Sequence, residues 1–143
     1  MNKLSFGLNG SYIYTNAKMP LATVTTGSQL EGAAPWIANF DLSHNFTKGT
    51  HSFIHTLVFN YVSDKIYTIG TQGYQDIMEQ GMMTLDFVSQ AKLNKYVSLT
   101  LKARNLLNPS YKLSRKANES GGKVVLSDYK KGINISLGVS CTF

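Results

Sequence analysis

This sequence predicts an all-β fold: six long antiparallel strands in a meander, part of a transmembrane β-barrel. Three observations carry that reading. Apolar residues recur with period two, tight turns alternate with long connections, and the runs are longer than those of soluble sheets.

The elements follow in order. Leu4, Phe6, Leu8, Tyr12 and Tyr14 interleave with Ser5, Gly7, Asn9, Ser11 and Thr15. A second run sets Trp36, Ala38, Phe40, Leu42, His44 and Phe46 against Asn39, Asp41, Ser43, Asn45 and Thr47. A third places Phe53, His55, Leu57, Phe59 and Tyr61 on one face. In the fourth, Met83, Leu85, Phe87, Ala91 and Leu93 oppose Thr84, Asp86, Gln90 and Lys92. The fifth opposes Val97, Leu99, Leu101 and Ala103 to Ser98, Thr100, Lys102 and Arg104. The last is the clearest: Ile133, Ile135, Leu137, Val139, Cys141 and Phe143 alternate with Asn134, Ser136, Gly138, Ser140 and Thr142. Successive side chains of a strand point to opposite faces, so each run predicts one apolar and one polar face.

Connections sharpen the prediction. Tight turns around Lys48-Gly49 and around Asn94 join the second strand to the third and the fourth to the fifth. The other links, roughly residues 16–34, 63–81 and 107–130, are long and read as loops, with Pro20, Pro35, Pro109 and the Gly121-Gly122 pair as punctuation. Transmembrane barrels combine short periplasmic turns with long extracellular loops in this way. Eleven residues at ~3.4 Å each give a strand of ~37 Å, which spans ~26–30 Å at a tilt of ~35–45°. If the short turns are periplasmic, Tyr14, Trp36 and Tyr61 fall at the extracellular end of the apolar face. Phe6, Phe46, Phe53 and Phe143 fall at the periplasmic end, with leucines between. A bilayer selects such aromatic girdles.

Composition excludes other classes. The 143 residues are 43% hydrophobic, 11% aromatic and only 15% charged, which excludes intrinsic disorder. Cys141 is the single cysteine, so no disulfide framework exists. No apolar run reaches the length of a transmembrane helix, and the first 25 residues lack a signal-peptide pattern. The net charge of +6 resides largely in Lys112, Arg115, Lys116, Lys123, Lys130 and Lys131, in or beside one long loop. That placement fits a solvated loop or lipopolysaccharide phosphate, and no nucleic-acid fold accompanies it.

With the strands laid out, five pieces stand in order. They are Gly32-Ala33-Ala34-Pro35-Trp36-Ile37-Ala38-Asn39, Asn60-Tyr61-Val62-Ser63-Asp64-Lys65-Ile66, Thr84-Leu85-Asp86-Phe87, Lys102-Ala103-Arg104-Asn105-Leu106-Leu107-Asn108-Pro109, and the closing strand from Tyr129 to Phe143. This ordered set resembles the C-terminal barrel segment of TonB-dependent outer-membrane receptors, in the style common in Bacteroidetes. The resemblance implies a barrel of about 22 strands when intact, with this chain as a six-strand segment lacking plug domain and signal peptide. It also implies import of a scarce nutrient (siderophore, cobalamin or glycan), residence in the Gram-negative outer membrane, and no cofactor. Implied partners are membrane lipid and lipopolysaccharide, the rest of the receptor or other copies, the barrel-assembly machinery, and an energy-coupling protein acting through the absent N-terminal part. Phe143 corresponds to the C-terminal aromatic of the assembly signal, and Cys141 stands where a second aromatic is usual.

Candidate site residues divide by face. Asp41, Asp86, Lys102 and Arg104 fall on the polar face, which lines the lumen of a barrel, and Asp86 is expected to pair with Lys102 across the Asn94 turn. Tyr67, Tyr74, Tyr111 and Tyr129 lie in the loops and are the candidate ligand-stacking aromatics. His51 and His55 sit ~13 Å apart on a strand, too far for one metal ion. His44 faces the apolar side, Cys141 reads as an inert apolar residue, and Met78, Met82 and Met83 as packing at a loop base. The sequons at Asn9, Asn45, Asn118 and Asn134 read as coincidence in an Asn- and Ser-rich strand protein. No face assembles a catalytic constellation, so no enzyme is expected. Two alternatives remain at this point: a soluble β-barrel or clam enclosing a hydrophobic ligand, and a short protein self-assembling into a passive pore.

Overall fold

The computed structural model describes residues 2–16, 29–71, 73–117 and 121–142. They form ten antiparallel strands: β1 (Asn2–Tyr12), β2 (Trp36–Lys48), β3 (His51–Val62), β4 (Lys65–Thr68), β5 (Ile77–Glu79), β6 (Met82–Lys92), β7 (Val97–Arg104), β8 (Ser110–Lys116), β9 (Lys123–Lys130) and β10 (Asn134–Cys141). Two open sheets result, a six-stranded one in the order β1-β2-β3-β6-β7-β10 and a four-stranded one in the order β4-β5-β8-β9.

All six expected strands build the larger sheet, as neighbours in chain order. The expectation of only six is corrected, because connections 63–81 and 107–130 carry four further strands. Lys and Arg interleaved in those segments dilute the apolar alternation that marks a half-buried strand. Most of the third connection, residues 17–28 with Pro20, lies outside the described residues, as do Asn118 and Phe143.

The smaller sheet extends the larger one. β3 leads into β4, β5 into β6, β7 into β8 and β9 into β10, so the order β3-β6-β7-β10 repeats as β4-β5-β8-β9. Between the sheets the strands break at a belt of small and Asx residues. Gly81 approaches the Val62 carbonyl and the Asp64 amide so closely that a side chain there would strike backbone, and its own N–H donates to Asp64 Oδ1 at 2.6 Å. Asn105 and Asn108 take positive φ values of 59° and 44°, in the left-handed region that short polar side chains tolerate. Asn105 Nδ2 donates to the Gly132 carbonyl (2.7 Å), and the Gly132 N–H donates to Asn108 Oδ1 (3.0 Å). These side-chain bonds satisfy backbone groups that leave one ladder before entering the next.

Register in the larger sheet gathers the apolar residues on one face. From loop end to turn end, the rows run Tyr12–Trp36, then Ala38–Tyr61–Met83, then Leu8–Phe40–Phe59–Leu85. Next come Phe6–Leu42–Leu57–Phe87–Ala103–Ile135, then Leu4–His44–His55–Ser89–Leu101–Leu137, then Phe46–Phe53–Ala91–Leu99–Val139. Phe6 therefore lies in a middle row opposite Leu42, correcting its expected place at the turn end. Phe6 stands two rows in from Phe46, which pairs with Asn2, and the strand ends at Tyr12, short of Tyr14.

No described residue forms a second layer over either face of this sheet. Among the described residues the buried ones are Ala34, in the β1–β2 connection, and Ile66, Ile69, Glu79 and Ser114, in the smaller sheet or its connections. Leu8 is 80% exposed and Leu137 71%. A soluble domain closes its apolar faces into a second layer; here the larger sheet stands as a single layer.

Candidate functional site

The polar face carries the four expected lumenal residues. Asp41 lies between Gly7 and Val58 in register, and a methyl group at Gly7 would overlap its carboxylate. The expected Asp86–Lys102 ion pair is not formed. Val88 stands opposite Lys102, while Asp86 Oδ1 accepts the Asn105 N–H at 2.8 Å. Asp86 stands two residues along β6 from the position opposite Lys102, and its carboxylate caps the turn of residues 105–108 instead. Arg104 stands opposite Asn134, at the loop end of the same face. Neutral polar pairs fill the face between, with Ser43 Oγ and Thr56 Oγ1 at 2.9 Å and Asn60 Nδ2 donating to Thr84 Oγ1 at 3.3 Å.

Beyond the junction belt, the smaller sheet assembles the expected tyrosines. Tyr111 and Tyr129 are register partners on β8 and β9, with ring centroids 5.0 Å apart. The Tyr111 hydroxyl donates to Glu79 Oε2 at 3.2 Å, and Glu79 is buried against Lys65, whose Nζ lies 3.3 Å from Oε1. Tyr67, the extra residue where β4 bulges against β5, lies close enough to influence the Tyr111 phenol. Tyr74 packs instead against Arg115, whose guanidinium carbon lies 4.9 Å from its ring centre. Three of the four aromatics are thus brought together and the fourth stacks on a cation.

Burial pushes the Tyr111 phenol above its usual value, and the Glu79 carboxylate adds to the shift by its charge and by the hydrogen bond it accepts. The phenol therefore stays protonated and acts as a donor. Lys131 Nζ sits over the Tyr111 ring, 5.4 Å from its centre. A cavity of about 390 Å³ opens between this cluster and the polar face, with Asp86, Arg104, Tyr111 and Lys131 in its walls.

Sequence reasoning missed Glu79, Lys65 and Lys131 as companions of Tyr111. A signal existed: Tyr111 and Leu113 alternate with Lys112 and Ser114, a short strand pattern that would have placed Tyr111 in a ladder. Among the described residues no group of three or more His, Cys, Asp or Glu side chains is placed to hold a metal ion. His51 Nδ1 meets the Leu93 carbonyl and joins the two tight turns, while His55 packs between the rings of Phe46 and Phe87. Comparison with known proteins finds no match for this chain among protein-family models, curated proteins or solved structures.

Proposed function

We propose that this chain is a wall segment of an outer-membrane β-barrel of the TonB-dependent receptor type, importing a scarce nutrient of the siderophore, cobalamin or glycan class. One observation carries the membrane part of the reading: six strands hold their apolar side chains in register on one face of a single-layer sheet, and no described residue covers that face. From Trp36 to Phe46 the apolar rows extend ~34 Å along the strand, or ~26 Å at a tilt of ~40°, which matches the apolar band of outer-membrane barrels. Trp36 and Tyr12, with ring centroids 4.5 Å apart, close the band at the loop end. A stack of His44, Phe46, Phe53 and His55 closes it near the tight turns. Amphipathic rings at both limits and aliphatics between them suit headgroups and acyl chains respectively.

The receptor part rests on the ordered sequence pieces and on the loops. In this role the outer sheet forms part of the extracellular mouth, and the polar face forms lumen wall. β1 and β10 are the sheet's two edges, and unpaired backbone is not tolerated in lipid. Further strands, from the rest of a receptor or from other copies, complete the wall. Membrane lipid, lipopolysaccharide and the barrel-assembly machinery are the partners this role requires; no enzymatic step and no cofactor enter it.

The test is the behaviour of the purified chain with and without micelles, read by size and far-UV circular dichroism. A defined β-rich species in detergent and aggregation in buffer are expected. A stable monomer in plain buffer would show that the apolar face is turned inward, and a soluble carrier of a hydrophobic ligand would replace the membrane reading.

A further inference from the structure

We propose that the cavity of about 390 Å³ at the loop end of the polar face binds a small organic anion, a carboxylate on a flat apolar body. This assigns a ligand class to one cavity of the outer mouth and rests on the receptor reading above. The volume falls in the ~300–1,000 Å³ range of small-molecule sites.

Charge points to an anion. Arg104 ends β7 and Lys131 follows β9, and the two come to one cavity through the Asn105–Gly132 and Asn108–Gly132 hydrogen bonds. Among the described residues the salt bridges are Lys65–Glu79 and Lys112–Asp128, so neither Arg104 nor Lys131 is neutralised by a carboxylate. The one acidic wall residue, Asp86, already accepts the Asn105 N–H with Oδ1. Two cations against one engaged carboxylate leave a net positive site.

Shape and surface point to a carboxylate with an apolar body. A guanidinium presents paired donors in a fixed plane that matches a carboxylate edge. The remaining wall includes Met82, Pro109 and the Tyr111 ring, which a bare inorganic ion would leave unfilled. Lys131 lies beside that ring, so charge and stacking surface meet at the same end of the cavity. Tyr111 is itself fixed by its bond to Glu79, which presents the ring without a further cost of ordering.

The experiment is equilibrium dialysis of 1-naphthoate against the full chain in lipid nanodiscs, with empty nanodiscs as the blank. One saturable site per chain is expected, with 1-naphthamide at least ten-fold weaker and inorganic phosphate a poor competitor. Arg104→Gln and Lys131→Gln should each weaken naphthoate by about ten-fold or more, the worth of one charge-assisted hydrogen bond. Arg104→Lys should recover part of the loss. Lys131 is exposed in a link between strands, so its variant keeps the fold and reports even if the Arg104 variants do not assemble. Equal binding of the amide, displacement by phosphate at matching concentration, or unchanged affinity in the folded Lys131→Gln variant would each overturn the assignment. Were the chain a soluble monomer, the membrane reading would fall, and the same dialysis in plain buffer would still decide this site.

Discussion

Tyr111 retains its proton because burial disfavours the phenolate and the Glu79 carboxylate repels it. Its folded value lies above the ordinary one, so its contribution to the smaller sheet is complete below about pH 10 and is lost as pH rises through the folded value. Alkaline titration followed by phenolate absorbance should show one tyrosine ionising late. Tyr111→Phe should abolish that late step and flatten the alkaline decline in stability. A second residue-scale consequence concerns Gly7, where a methyl group meets the Asp41 carboxylate. Gly7→Ala should cost about 1 kcal/mol in denaturant unfolding, because the flexible end of Asp41 must move aside. In an Asp41→Ser background the same change should cost much less. Asp41 and Gly7 could be placed on one face by parity alone. Their contact required the β1–β2 register, which no local pattern specifies.

At the scale of the strand, the two faces respond differently to charge. Leu57 lies in a middle apolar row and Val58 on the polar face between Asp41 and Asp86. Leu57→Lys should cost about 2–4 kcal/mol in a bilayer, the depth-dependent penalty of a cation near the midplane. Val58→Lys should be nearly neutral, and unfolding of the two variants in micelles separates the readings. Equal costs would show that neither face meets lipid. The belt between the sheets is the other sensitive element. Gly81→Ala forces a side chain against the Val62 carbonyl and the Asp64 amide, and should destabilise by about 1–3 kcal/mol. All six long strands were legible because one solvent-like environment acts on each face over eight residues or more. Strands β4, β5, β8 and β9 were not, since β4 and β5 have four and three residues and all four mix charge with apolar groups. The tyrosines of the site could be chosen from the sequence as exposed loop aromatics. Glu79 and Lys131 could not, because they join Tyr111 only through a ladder between distant segments.

For the whole molecule, the decisive property is that the larger sheet has no second layer among the described residues. Stability of that sheet rests on backbone pairing and on what meets its apolar face. With β1 and β10 at the edges, alternate amides of those strands lack a strand partner. Hydrogen exchange should therefore find alternate β1 and β10 amides fast and β3 amides protected in the isolated chain. Addition of complementary strands or of further copies should protect the edges first.

The β8–β9 hairpin also has a bearing on how the sheet is assembled. Arg104 and Asn134 are register partners although 29 residues separate them. If the hairpin forms first, only the five residues between β7 and β8 and the three between β9 and β10 remain to be constrained. Loop closure then costs about 1 kcal/mol less entropy than for an open segment of full length. The smaller sheet thus bears on kinetics: it delivers β10 to its neighbour β7 and shortens the search by which the larger sheet is extended.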